Sequence, residues 1–280
     1  MKVIPSGQAC GARVEGLDLS RELSETEIAA IREAWLEHHV LAFPGQSMSD
    51  DDLERFTLRF GPFGHDPFFA PIPGRTNIAA ICRDADETTS IFAEAWHSDW
   101  SFQENPPIGT CLLGLTIPPT GGDTLFNNQH LALEKMPDEM RAKVEGRIAI
   151  HSAVLGYSKT GVHGNEEKEK GRSMDILVSD EALETRTHPL VRNHPETGRP
   201  GIFGAPLAYI IGIEGLEPPE STEFLKELLA WQTRDEFLYR HRWEPGMLVM
   251  WDNRSVLHRA TGGYEGHARL LHRTTIGAAA

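Results

Sequence analysis

One stretch of the chain places a histidine and a carboxylate two residues apart between tryptophans: Trp96-His97-Ser98-Asp99-Trp100. On an extended strand, residues i and i+2 project from the same face, so His97 and Asp99 could grip one ion together. Composition alone could produce such a pair. With 13 His and 41 acids in 280 residues, about two His-x-acid triplets arise by chance. The second is His194-Pro195-Glu196, inside NHPETGRPG, where Pro and Gly call for a hairpin turn rather than a strand. A third ligand must come from elsewhere, and the foremost choice is His258 in MLVMWDNRSVLHRA. Two neutral imidazoles and one carboxylate on one face of a metal leave three positions open, which suits non-haem Fe(II) taking a co-substrate and then O2. Read alone, His258 fits a hydrogen-bonded core histidine better than a ligand.

Arg269 and Arg273 follow His258, with ATGGYEG between them as a turn. HARLLHRTTI can therefore run back antiparallel beside the His258 strand. The two arginines differ by an even number, so on a strand they face the same way. Two guanidiniums in one cavity near a metal would receive two carboxylate-like groups; surface or salt-bridged arginines are the plainer reading. His272, out of phase, should face the other side. GGDTLFNN offers the hydroxyl of Thr124 on a strand after a Gly-Gly turn, a position that an ordinary strand threonine could also fill.

The elements that must position these residues are mostly short strands. A capping box of Ser24 and Glu27, with Ile28, Ile31 and Trp35 at helical spacing, predicts a helix over 24–38. A second helix follows Ser49, its acids in the first turn, and stops at Gly61-Pro62. Strand-like runs then come at 77–81, 96–102, 110–117, 124–128 and 148–155, and later at 188–192, 201–204, 237–243, 247–253 and 267–276. Helices interrupt at about 129–146 and 219–233. Many strands with turn chemistry and few helices predict a mainly β fold, an antiparallel double-sheet roll. No linker divides the chain, so one domain is expected over 1–280. The charged stretch 156–186, holding GNEEKEKGR, reads as an active-site lid or a surface loop.

The net charge of −14 repels phosphate backbones and anionic lipid, which argues against nucleic-acid and membrane partners. An anionic substrate would need a local arginine cluster to overcome that field. Cys10, Cys82 and Cys111 are far apart and odd in number, so no disulfide framework or zinc ribbon is expected. A reducing cytoplasm is the simplest compartment. No apolar run has signal-peptide or membrane-span length.

Taken together, WHSDWSF, PPTGGDTLF, HPLVRNHPETGRP, YRHRWEPGMLVMWDNRSVLHRA and ARLLHRTTI resemble the Fe(II)/2-oxoglutarate dioxygenases of the taurine and 2,4-dichlorophenoxyacetate dioxygenase family, from about residue 10 to the end. The resemblance implies a double-stranded β-helix (jelly roll, cupin-like) with flanking helices. It implies His97, Asp99 and His258 as iron ligands, with Arg269 clamping the distal carboxylate of 2-oxoglutarate, helped by Thr124. Arg273 would hold the anionic head of the primary substrate, and Phe69 would stand where the family carries a substrate-facing Tyr. O2 and 2-oxoglutarate are the implied co-substrates, and a homodimer or homotetramer the implied assembly.

The implied reaction hydroxylates a small sulfonate or aryloxyalkanoate next to its heteroatom, releasing succinate and CO2. Two departures bear on the substrate. Ala93 stands where taurine dioxygenases have an Asn, and Asp66, with His65 beside it, stands where they have a sulfonate-binding His. An Asp beside a sulfonate is repulsive, which argues against taurine itself while keeping an anionic substrate. Three other readings stay open on the residues. One is a hydroxylase of an amino acid or other carboxylate without fragmentation, another a zinc-dependent hydrolase on the same triad, and the third a non-catalytic jelly-roll binding module.

Overall fold

The structure, a computed structural model, describes residues 1–279, without the side chains of 166 and 168. Helix Glu25–His38 starts where expected, with Ser24 and Glu27 closing the capping box and Ile28, Ile31, Ala34 and Trp35 on its buried face. Helix Asp50–Leu58 is capped the same way by Ser49 and Asp52. Both lie against one face of a seven-stranded sheet. Its order runs Lys2–Pro5, Ala12–Glu15, Val40–Phe43, Leu248–Asp252, Gly109–Thr116, Arg269–Ile276, Ala79–Arg83. The two short N-terminal strands, at one end of this sheet, had no reading in the sequence.

A three-stranded sheet, Leu238–His241, Thr124–Asn128 and Val256–Ala260, faces the large one. Between the sheets lies an apolar layer that includes Val40, Leu112, Phe126, Val249, Trp251 and Leu271. This is the jelly roll that the strand pattern predicts. A second three-stranded sheet, Ile210–Ile213, Ile148–Ser152 and Thr185–Pro189, packs with helix Pro218–Gln232.

Several local expectations change. The run 96–102 is not a strand: His97 makes one isolated antiparallel bridge to His258, and the chain then turns. The helix expected over 129–146 is two helices, Gln129–Glu134 and Asp138–Val144. Pro137 lies between them, and proline pushes its preceding residue out of the helical region. The run 148–155 ends as a strand at Ser152 and becomes the short helix Val154–Tyr157. HPLVR straddles two strands, Thr185–Pro189 and Val191–Asn193, the latter pairing with Pro200–Ile202 as the hairpin read from NHPETGRPG.

The stretch 156–186 is folded down over one end of the roll. Tyr157, Met174 and Ala182 are buried with Phe68, Phe69 and Trp100, and Tyr157 stacks on Phe68 at 4.5 Å between centroids. Its backbone is tied to the chain before strand Ala79–Arg83: Leu177 N–H donates to Phe68 O at 2.9 Å and Ala70 N–H to Asp175 O at 3.2 Å. No described helix is long and apolar enough to cross a membrane.

Candidate active site

The His97–His258 bridge joins the two imidazole-bearing backbones directly. His97 N–H donates to His258 O at 2.9 Å, and His258 N–H donates to His97 O at 2.8 Å. Residues 161 apart in sequence are thus fixed side by side, with ring centroids 4.2 Å apart. The turn after His97 brings Asp99 round to the same side, although no regular strand carries it there. Asp99 Oδ1 lies 3.7 Å from His97 Nε2 and 3.6 Å from His258 Nε2. These separations are too long for hydrogen bonds. They are shorter than twice an imidazole–metal bond of about 2.1 Å. Among the described residues, this is the one group of three or more His, Cys, Asp or Glu side chains whose ligand atoms converge, all within 4.8 Å of one another.

Protonation suits a cation. His97 Nδ1 lies 2.9 Å from Ala95 O, so the proton belongs on Nδ1 and the Nε2 lone pair is free. Burial pushes His97 below its ordinary value and His258 down to about 3, so both rings are neutral. Burial would raise Asp99, but Arg273 and the two imidazoles outweigh it and hold the carboxyl ionised. Two neutral nitrogens and one carboxylate oxygen, buried and unbridged by hydrogen bonds, form a donor set that fits one divalent ion.

Three residues that the sequence reading did not single out orient Asp99. Thr110 Oγ1 donates to Asp99 Oδ2 at 2.6 Å, Asn253 Nδ2 donates to Thr110 Oγ1 at 3.0 Å, and Trp251 Nε1 donates to Asn253 Oδ1 at 2.9 Å. Trp251 also packs on the His258 ring at 4.8 Å. Thr110 and Trp251 lie on strands 109–116 and 248–252, which are adjacent in the large sheet, and Asn253 follows the second of them. Only that pairing, invisible in one sequence, brings them under Asp99.

Thr124, Arg269, Arg273 and Phe69 line the same cavity as the triad. On strand Arg269–Ile276 the odd-numbered residues 269, 271 and 273 are buried, and His272 points away to Asp50 at 2.7 Å, as parity requires. Arg269 is 7% exposed and has no carboxylate within salt-bridge distance among the described residues. Among the described residues its one hydrogen bond, from Nη2 to Gly122 O, is long at 3.4 Å, and its Nε is unpartnered. Burial draws the guanidinium down to about 10, still charged at neutral pH. Gly122 at φ +67 explains the second glycine of GGDT, since a Cβ there would lie 3.3 Å from Arg269 Nε. Thr124 Oγ1 accepts from Trp243 Nε1 at 3.0 Å, which leaves its own hydrogen to donate into the cavity.

Arg273 is also buried, but it is not free. Its Nη1 lies 2.5 Å from both oxygens of Asp66, and its Nη2 is 3.2 Å from Asp99 Oδ2 without hydrogen-bond alignment. The guanidinium sits 5.1 Å from the Phe69 ring and 5.4 Å from Trp100. Asp66, expected only to repel a sulfonate, is thus the main partner of the arginine expected to hold it. His65 is exposed and faces Glu181 instead. Phe92, Tyr157 and Tyr209 complete an aromatic wall, and Ala93, at φ +59, lies at the cavity's edge.

Known proteins resemble the chain along nearly its whole length. The family described as "Taurine catabolism dioxygenase TauD, TfdA family" matches residues 2–275. The chain is 35% identical to an alpha-ketoglutarate-dependent 2,4-dichlorophenoxyacetate dioxygenase of Cupriavidus pinatubonensis, over 94% of this chain and 93% of that protein. It is 32% identical to an alkylsulfatase of Acinetobacter baylyi, over 95% of this chain and 81% of that one. The crystal structure of a taurine dioxygenase from Burkholderia xenovorans matches with a TM-score of 0.79 at 32% identity, covering 99% of this chain and 89% of that one.

Proposed function

The chain belongs to the TauD/TfdA dioxygenase family, and from that premise we propose that it is a non-haem Fe(II) enzyme that uses 2-oxoglutarate and O2 to hydroxylate a small anionic substrate beside a heteroatom. Relatives named for 2,4-dichlorophenoxyacetate, phenoxypropionate and sulfate esters support a substrate of sulfonate, sulfate ester or aryloxyalkanoate type. The observation that carries the reading is the joint presence, in one buried cavity, of an imidazole–imidazole–carboxylate set and a guanidinium with no carboxylate partner among the described residues. A hydrolase built on the same triad leaves Arg269 without a task.

In this reading His97, Asp99 and His258 hold the iron. Bound there, Fe(II) supplies the activation of O2 that couples decarboxylation of 2-oxoglutarate, giving succinate and CO2, to oxygen insertion. The chain's own work is positioning. The Ala95 carbonyl fixes the His97 tautomer, and Thr110 turns Asp99 so that Oδ1 meets the ion. Arg269 accepts the distal carboxylate of 2-oxoglutarate, for which a buried, unpaired guanidinium is a strong seat. Thr124, steadied by Trp243, donates its hydroxyl hydrogen to the same carboxylate. Arg273 takes the acidic head of the substrate, and Phe69 bounds its tail.

The 156–186 stretch, which packs Tyr157 into the cavity wall, acts as the lid of a single catalytic domain. We place the enzyme in the cytoplasm, as three unbridged cysteines suit a reducing compartment, and as a homodimer or homotetramer. The test is succinate formation from 2-oxoglutarate under Fe(II) and O2 with a panel of sulfonates, sulfate esters and aryloxyalkanoates. One member raising succinate release far above the substrate-free rate supports the reading. No 2-oxoglutarate consumption with any member contradicts it.

A further inference from the structure

The charges in the cavity balance before any substrate enters. Asp99, Arg269 and Arg273 are the charged residues among its lining, and Asp66, outside that lining, pairs with Arg273, so two cations face two anions. A divalent metal and the dianion of 2-oxoglutarate leave that balance unchanged. A substrate acid arriving at Arg273 therefore adds an uncompensated negative charge, and it meets Asp66 already there. Asp66 lays both oxygens on Nη1 of Arg273 and also accepts from Trp100 Nε1. Nη2 faces Asp99 at 3.2 Å without hydrogen-bond alignment, so a substrate acid that takes the hydrogens of Nη1 must take them from Asp66. The Asp66 side chain is 18% exposed where that of Arg273 is 4% exposed, which gives the carboxylate a route to solvent.

We propose that Asp66 is a specificity-determining residue: a tethered carboxylate that competes with the substrate's acidic group for Arg273, so that a bare anion is weakly held. The inference rests on the reading that Arg273 receives the substrate's acid. An acid that displaces Asp66 must recover the lost ion pair through its own contacts with the aromatic wall of Phe69, Phe92, Trp100, Tyr157 and Tyr209. A small hydrophilic sulfonate has little to offer that wall, whereas an aryl or alkyl tail buries against it. Discrimination among anions thus comes from an element that repels all of them combined with a surface that rewards only some.

The experiment compares wild type with Asp66→Asn, which keeps the shape and lets the amide oxygen still accept from Arg273. Anaerobic calorimetry on protein loaded with Mn(II) and 2-oxoglutarate reads binding without turnover. The probes are phenoxyacetate and its uncharged isostere phenoxyacetamide. The expected result is phenoxyacetate binding roughly tenfold or more tighter to Asp66→Asn than to wild type, with phenoxyacetamide unchanged to within about twofold. Asp66→Ser, with the carboxylate removed altogether, shows the same preference, and thermal melts establish that both variants are folded. Unchanged, weaker or undetectable phenoxyacetate binding to both folded variants overturns the inference, as does an equal gain for the amide.

Arg273→Ala separates the inference from the reading beneath it. If Arg273→Ala raises the substrate KM but Asp66→Asn does not tighten the acid, the inference alone fails. If Arg273→Ala leaves the substrate KM unchanged, Arg273 is not the substrate seat, and that reading fails with it.

Discussion

Thr110 donates its hydroxyl hydrogen to Asp99 Oδ2 at 2.6 Å, and so dedicates the other carboxylate oxygen to the space the two imidazoles share. Replacing Thr110 by Val keeps the side-chain shape and removes the donor. Loss of a hydrogen bond that orients a metal ligand costs about 10- to 100-fold in metal affinity. Thr110→Val is expected to weaken Fe(II) or Mn(II) binding by that order while folding at only slightly lower temperature. Metal titration of the purified variant checks this, and unaltered affinity would mean that Asp99 is oriented by something else.

The two cavity arginines differ in what they already hold, and their variants should separate accordingly. Arg269 has no carboxylate partner, so Arg269→Ala removes a charge-assisted contact of about 1.5–3 kcal/mol from 2-oxoglutarate, raising its KM by roughly 10- to 100-fold. Arg273→Ala should act chiefly on the substrate KM. Steady-state kinetics with each co-substrate varied in turn makes the test, and equal effects of both variants on both constants would refute the division of roles.

Arg172 anchors the segment over the cavity. Its side chain is 4% exposed, it pairs with Glu169, and its Nη2 donates to Ser90 O at 3.3 Å. Next to it, Ser173 N–H donates to Glu87 Oε2 at 2.9 Å. Arg172→Ala should loosen 156–186 without unfolding the roll. Hydrogen exchange should rise in that stretch and stay unchanged in strand 109–116, and the substrate KM should increase severalfold. Unaltered exchange in 156–186 would show that its apolar contacts suffice to hold it down.

Acid should destabilise the metal-free protein. Burial lowers His39, His151, His241 and His258 to about 3, against an ordinary value of 6.5. Below pH 6.5 the unfolded chain takes up protons that the folded one refuses, so stability is lost as the pH falls from there toward 3. At pH 5 each such group costs on the order of 2 kcal/mol, and four together rival the whole stability of an ordinary domain. The melting temperature should therefore drop steeply between pH 7 and pH 5, and a flat profile would contradict the buried, neutral state of these rings.

The sequence carried the fold class and the parity of the arginine strand, but not every neighbour of the triad. Parity placed Arg269 and Arg273 together and His272 apart, because residues 269–276 do form a regular strand. The same argument paired His97 with Asp99 for the wrong local reason: the chain turns there, held by a single bridge to His258. Thr110, Asn253 and Trp251 could not be found, since their approach to Asp99 depends on strand neighbours set by the whole sheet. Asp66 was legible as a departure from the family pattern, but its pairing with Arg273 required knowing where the irregular stretch near residue 66 passes.

The most direct test of the metal and co-substrate assignment is anaerobic visible absorption of the Fe(II) protein on addition of 2-oxoglutarate. A weak charge-transfer band should appear in wild type, fail to form in Asp99→Ala, and need far more 2-oxoglutarate in Arg269→Ala. If wild-type protein binds Fe(II) and 2-oxoglutarate yet gives no band, or if Asp99→Ala gives the same band as wild type, then His97, Asp99 and His258 are not the centre at which the co-substrate is held.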